Sequence, residues 1–403
     1  MNEADEIVSE LGYRPFDADN HYYEAEDAFT RHLDPKHGQR VIEWCTIGTR
    51  KYPVIAGKVS RDVTNPTFDP VSPAGAMAEY FRGNPSGRSP LEYLGRPEPI
   101  RPEYRDRDAR LCTMDEQGIQ KTWLFPTLGL LYEEHLTNDP EAVTLLFSAF
   151  NRWLLDDWGF SYQDRIFGSP SISLCDLDWA IAELEWALDN DARTIVMRPA
   201  PIRTATDLLP PADPTFDPFW ARVNESGITV VAHAGNTGFE VPGYAPPHSF
   251  QTGDNGSYRL SLGALHIEFE RVVHDFLGSL MVDKLFERFP NIRMASVENG
   301  SGFLPELLKK LTSAANKYPG YFGEHPVDVF RRNVWINPFW EDDVNDTVEL
   351  MGADHVIFGS DWPHIEGLEE PLDYVRELKA FDVEDTRKIL LENATGLNER
   401  RPA

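Results

Sequence analysis

The feature that most limits what this chain can fold into is a rhythm. Short apolar runs recur along it, separated by longer amphipathic stretches. The runs are PFDADNH near 15–21, IQKTWLFP at 119–126, RIFGSPSISL at 165–174 and RTIVMRP at 193–199. They continue with GITVVAHAG at 227–235, IRMASVENG at 292–300, NVWINPF at 333–339 and HVIFGSDWP at 355–363. Between most of them the pattern is helical. DLDWAIAELEWALDND (176–191) puts Leu177, Ile181, Leu184 and Leu188 on one stripe. VVHDFLGSLMVDKLFERFP (272–290) reads as one long helix closed by Pro290. GFLPELLKKLTSAANKY (302–318), EEPLDYVRELKAF (369–381) and VEDTRKILLENATGL (383–397) read as further helices, the last packed outside the strands. This alternation predicts an α/β chain folded as a parallel (β/α)8 TIM barrel. A doubly wound open sheet is the alternative. Against it, no GxGxxG or GxxxxGK[ST] follows any strand.

The 403 residues are more than such a barrel needs, and the excess is uneven. The expectation is a single domain over 1–403, with insertions at about 25–107 after the first strand and 237–264 after the fifth. Both follow strands, so both fall on the face where a barrel gathers its active site. Long loops there serve as lids or binding loops; the first insertion is equally a candidate oligomer contact. The formal net charge of −28 argues against nucleic acid or an anionic membrane as a partner. Three widely spaced cysteines without a CxxC argue against a disulfide framework or a structural zinc site. The acidic N-terminus lacks the apolar run of a signal peptide, and no stretch approaches a membrane span, so a cytoplasmic protein is expected.

The chemistry concentrates at strand ends. Residues two apart on a strand face one side, so Asp17, Asp19 and His21 point the same way. Carboxylates buried beside an imidazole are costly unless a cation joins them. His233 ends the fifth run and Asp361 the eighth. Taken singly, the histidine reads as a core residue and the aspartate as a turn cap. Together they read differently, because barrel closure sets strand eight beside strand one, with strand five across from them. Asp19, His21, His233 and Asp361 then converge on one point.

The segments DADNH, VVAHAGN, FERFPNIRMASVENGSGFLPELLKKL and VIFGSDWPH resemble the amidohydrolase superfamily, in its aminocarboxymuconate-semialdehyde decarboxylase-like branch. The resemblance runs from about residue 14 to 395, the insertions excepted. It implies that Asp19, His21, His233 and Asp361 hold a catalytic divalent metal, zinc or manganese. The chain departs from the pattern twice. Asp19 stands where hydrolases of the superfamily often carry a histidine, a variation known among nonoxidative decarboxylases of the branch. Glu298 stands on strand six, where many relatives place a proton-handling histidine. Glu298 is therefore read as a general acid/base, as an additional ligand, or as a buried carboxylate accepting backbone N–H bonds.

Glu298 with Glu24 and His274 would form a second metal position; His274 shares a helix face with His266 and Glu270. His364 is a candidate catalytic or substrate contact. Arg198 is a candidate clamp for a substrate carboxylate. Trp335 and Trp340 would line an aromatic pocket. The expected function is metal-dependent hydrolysis or nonoxidative decarboxylation of a small organic, carboxylated or cyclic substrate by way of metal-activated water, with Asp361 moving the proton. Acid-x-His on strand one favours decarboxylation. The alternatives are a dinuclear iron or iron–manganese oxygenase using Asp19, Glu24, Glu298 and Asp361, or a non-catalytic subunit supporting a catalytic partner. A homo-oligomer is expected from the relatives, a hetero-oligomer being the alternative.

Overall fold

The computed structural model describes residues 3–63, 65–238 and 267–402. Apart from its first two residues, the expected insertion at 237–264 lies outside them, as does His266. Seven parallel strands form in the expected order. The first, second and third, Phe16–Tyr22, Lys121–Pro126 and Ile166–Gly168, make one ladder. The fourth to seventh, Thr194–Met197, Thr229–His233, Arg293–Val297 and Val334–Ile336, make another.

Isolated bridges join the two ladders at both seams. Ser171 bridges Val196 beyond the third strand. At the other seam the expected eighth strand is not a ladder strand. It bridges Ile336 through Val356 and Asn20 through Trp362. Its amides and carbonyls are shared between its neighbours: Ile357 N donates to Ile336 O (2.9 Å), and Phe358 O accepts from Ala18 N (2.9 Å).

Each strand is buried on both faces, as parallel strands are. One face builds an interior cluster of Phe16, Ala18, Trp123, Phe125, Phe167, Val196, Val231, Ala295, Val297 and Ile357. The alternate residues, such as Val230, Ala232 and Met294, pack outward against helix residues such as Leu184, Trp220, Leu277 and Leu307. Helices start where the sequence supplies an aspartate. Asp106, Asp139 and Asp176 accept from Ala109 N (2.8 Å), Ala142 N (3.3 Å) and Trp179 N (3.0 Å), capping Arg107–Glu116, Pro140–Asp157 and Leu177–Asp189.

Three expectations need correction. The long helix is two, Ile267–Val282 and Leu285–Arg288, because Lys284 turns left-handed (φ 57°) between them. The first insertion is not structureless. Ile42–Ile47, Arg50–Ile55 and Lys58–Val59 form an antiparallel sheet whose exposed polar positions hid its period. The final helix does not lie outside the strands. It passes through a π-turn at Lys388–Glu392, where Ile389 O accepts from Phe358 N (3.1 Å). Ala394 and Leu397 then enter the interior cluster. Trp123 Nε1 donates to Asn398 (3.0 Å) and Thr229 Oγ1 to Leu397 O (2.6 Å). The helix thus closes the interior at the end away from the acids. Among the described residues no helix is long and apolar enough to cross a membrane.

Leu397 is 1% exposed. Leu397→Ala is expected to lower unfolding stability by about 3 kcal/mol, read as a shift in urea midpoint at unchanged slope.

Candidate metal centre

The first strand delivers Asp19 and His21 to its C-terminal end, both buried. The pairing register with the second strand shifts between Asp17 and Asn20, so these residues sit on an irregular edge. Asp17 is held apart from them. Its carboxylate accepts from Ser360 N (2.9 Å), Ser360 Oγ (2.5 Å), Asn20 Nδ2 (2.9 Å) and Asp19 N (3.2 Å). Burial pushes Asp17 up to about 6, against the opposing pull of the Ser360 and Asn20 hydrogen bonds. It acts as a fastener between strand one and the eighth segment.

His233 ends the fifth strand, Glu298 follows the sixth, and Asp361 lies in the eighth segment. Glu298 and Asp361 both have φ 55°, the left-handed region that a side chain enters at a cost of about 1–3 kcal/mol. Gly359 is required beside them, since a Cβ there would collide with Asp19 Cβ and the Asn337 amide. Asn337 Oδ1 in turn accepts from Glu298 N (3.3 Å).

Four ligand atoms form a closed figure. His21 Nε2 lies 3.3 Å from Asp19 Oδ1 and 3.5 Å from Glu298 Oε2. His233 Nε2 lies 3.4 Å from each of the same two oxygens. Ligands roughly 2.1 Å from a zinc-like ion stand roughly 3.4 Å apart when tetrahedral. The four edges match that spacing. Asp361 Oδ1 stands 3.4 Å from His21 Nε2 and 2.7 Å from His364 Nδ1. Asp19 Oδ1, His21 Nε2, His233 Nε2, Asp361 Oδ1 and His364 Nδ1 are all buried without a hydrogen-bond partner. Buried polar atoms are ordinarily paired. A convergent set of orphans with coordination spacing fits a divalent cation.

The electrostatics agree. For His21, burial favours the neutral ring, but the Asp19 and Glu298 carboxylates outweigh it and push the imidazole up to about 10. Burial would raise Asp19, yet His21 and His233 hold it below the usual carboxylate range. Asp361 is driven well above that range by burial and by the carboxylates of Glu298, Glu366 and Asp19. His364 is held well below the usual imidazole range by burial and by His21 and His233. Protons on His21 and Asp361 therefore compete with a cation, and binding one releases them.

The other expected residues are engaged with other partners. Glu24 Oε1 accepts from Leu128 N (2.7 Å) and Gly129 N (3.0 Å), so it holds the start of the helix Gly129–Leu136. His274 lies on the outer helix Ile267–Val282, with Nδ1 3.1 Å from Asp275. Arg198 is no free clamp. Its guanidinium is taken by Glu133 (2.8 Å), by Glu134 and by Asn236 O (2.8 Å). Trp335 Nε1 donates to Asp354 O (3.0 Å), ahead of the eighth segment and away from the acids. Trp340 is packed under Arg82 and donates to Glu366 O (2.9 Å).

Three contributors escaped the sequence reading. Thr127 follows the second strand and contacts His364 Nε2 (2.9 Å); its place at a strand end was the available signal. Glu366 is pushed up to about 7 by burial and Glu298. Arg110 is fully buried between Trp158 and Trp362 and donates to Asn20 Oδ1 (2.5 Å), His21 O (2.7 Å) and Glu103 O (2.8 Å). Nothing in a helical RDARLCTMDE marks that arginine as a support for strand one.

Glu24 yields a pH prediction. Burial raises its pKa from 4.5 to about 7, with the backbone donors opposing. Its contribution is then fully present below pH 4.5 and is lost as pH rises to about 7. Glu24→Gln should flatten metal-free stability across that window by about 3 kcal/mol, checked by urea titration at a series of pH values.

The amidohydrolase family model (Amidohydro_2) matches residues 95–397. A solved amidohydrolase from Mycobacterium avium subsp. paratuberculosis K-10 is 40% identical, with 96% of this chain and 98% of that one covered at a TM-score of 0.90. A dihydroxybenzoic acid decarboxylase from Polaromonas sp. JS666, solved with manganese and 2-nitroresorcinol, is 18% identical over 80% and 93% of the two chains (TM-score 0.58). A 5-carboxyvanillate decarboxylase from Novosphingobium aromaticivorans DSM 12444, also with manganese, is 14% identical over 97% and 98% (TM-score 0.55). No curated protein matches the chain. The family and these neighbours imply a TIM-barrel fold, and neither supports the oxygenase alternative. The chain belongs to the amidohydrolase family and is an enzyme.

Proposed function

We propose that this enzyme nonoxidatively decarboxylates a small organic acid at a divalent metal held by Asp19, His21 and His233, with Glu298 and Asp361 alongside. The observation that carries the reading is the figure of four ligand atoms with edges of 3.3–3.5 Å, three of them, on Asp19, His21 and His233, buried without a hydrogen-bond partner. A divalent cation there supplies Lewis acidity, polarising a substrate oxygen and offsetting a carboxylate charge. The chain's own residues supply the rest. His233 Nδ1 stands 2.9 Å from Ala234 O, which fixes the proton on Nδ1 and leaves Nε2 as a lone pair facing the centre. Asp361, with Oδ1 3.4 Å from His21 Nε2 and 2.7 Å from His364 Nδ1, is the carboxyl placed to pass a proton to carbon. The carbon–carboxylate bond breaks, carbon dioxide leaves, the electron pair stays on the substrate carbon, and Asp361 protonates it.

Hydrolysis is the second reading, favoured by family membership alone; Asp361 would then act as base. Manganese-loaded enzyme should release carbon dioxide from ortho-hydroxylated benzoates or unsaturated dicarboxylic acids. Turnover of lactones or anilides with no carbon dioxide would replace the decarboxylase by the hydrolase. Asp361→Asn should lower kcat by about 10²–10⁴-fold, with at least one equivalent of manganese retained. His233→Ala should abolish retention of metal through gel filtration. If that variant keeps its metal as tightly as the wild type, the metal-dependent reading is wrong.

A further inference from the structure

The ligand-type groups at the centre, all buried except the partly exposed Glu298, fall into two overlapping sets. Asp19, His21, His233 and Glu298 form one; His21, Glu298, Asp361 and His364 form the other. The Nε2 atom of His21 can serve one cation. Assigned to the first set, it leaves Glu298, Asp361 and His364 for a second.

His364 makes the case. Thr127 Oγ1 has one hydrogen, and it is donated to Tyr22 O (2.9 Å). The contact between Thr127 Oγ1 and His364 Nε2 (2.9 Å) is then a donation from the ring. In a neutral imidazole this leaves Nδ1 as a bare lone pair. That lone pair lies 2.7 Å from Asp361 Oδ1, yet neither atom has a partner in hydrogen-bond geometry. Both residues are 8% exposed, so water does not dilute the contact. Two buried lone pairs at that distance are stabilised by a proton or a cation set against both, and a cation also meets Glu298 in the same set.

Charge points the same way. Among the described residues, the ion-pair partners of Asp19, Glu298 and Asp361 are histidines only. The nearby buried Arg110 is engaged with His21 O, Asn20 and Glu103 O. Asp19, Glu298 and Asp361 therefore bring three negative charges when ionised, and one divalent cation balances two of them.

We propose that the centre holds two divalent cations bridged by the Glu298 carboxylate, the first against Asp19, His21 and His233, the second against Asp361 and His364. A set of carboxylates and imidazoles suits manganese, iron or zinc. The proposal rests on the metal-dependent reading above and adds the second ion. It also gives a reason for the left-handed backbone at both Glu298 and Asp361, which turns each acid towards the space between the two sets.

Metal-free enzyme titrated with manganese(II) tests it, with bound metal measured by elemental analysis and the spins read by electron paramagnetic resonance. Wild type should saturate at two equivalents with an exchange-coupled spectrum. His364→Ala, which leaves the first set whole, should saturate at one equivalent with an isolated-ion spectrum. A wild type that saturates at one equivalent, with an isolated-ion spectrum unchanged in His364→Ala, overturns the second ion and leaves the metal-dependent reading standing. No binding at all overturns both. If His364→Ala fails to fold by circular dichroism, the wild-type stoichiometry and spectrum decide alone.

Discussion

The structure depends on burying acids and imidazoles together at the ends of parallel strands. In water such groups would repel or solvate separately. Here the strands fix them 3.3–3.5 Å apart, and the atoms of Asp19, His21 and His233 have no hydrogen-bond partner. That arrangement is unfavourable by itself and becomes favourable only with protons or cations in the middle. The surrounding architecture is what prevents it from relaxing. Asp17 fastens strand one to Ser360, Arg110 pins the carbonyl of His21, and Gly359 lets the eighth segment come against Asp19.

The rigid background comes from packing at the other end. Large rings such as Phe16, Trp123 and Phe167 fill the interior, and the last helix seals it with Ala394 and Leu397. Seams that lack a continuous ladder are carried by single bridges and by shared carbonyls such as Phe358 O. The eighth segment is therefore the least regular wall of the site, and it carries Asp361 and His364.

Much of this was legible in the sequence. Short apolar runs with helical stripes between them named seven of the strands. The i, i+2 rule put Asp19 and His21 on one face, strand-end placement and barrel closure added His233 and Asp361, and resemblance implied their role as metal ligands. What was not legible depends on three-dimensional partners. Glu24 lies near enough in sequence to join the centre, but two amides of the next helix claim it. Arg198 ends a strand as a clamp should, but Glu133 and Glu134 from a neighbouring helix fill its fork. Glu298 could be read three ways until its distances to two imidazoles were known. The final helix carries the same amphipathic pattern whether it packs outside or plugs an end, so only topology could place it.

Gly75 N donates to His364 O (2.9 Å) and Met77 N to Ile365 O (2.8 Å). Gly75 takes φ 66° to do so, with no room for a side chain against Glu369. The long insertion is thus stitched by its backbone to the loop bearing Asp361 and His364. A segment that looks like decoration on the catalytic face is mechanically part of it. Divergence of the insertion among related enzymes would retune the stiffness of that loop directly, without any exchange of the residues that face the centre.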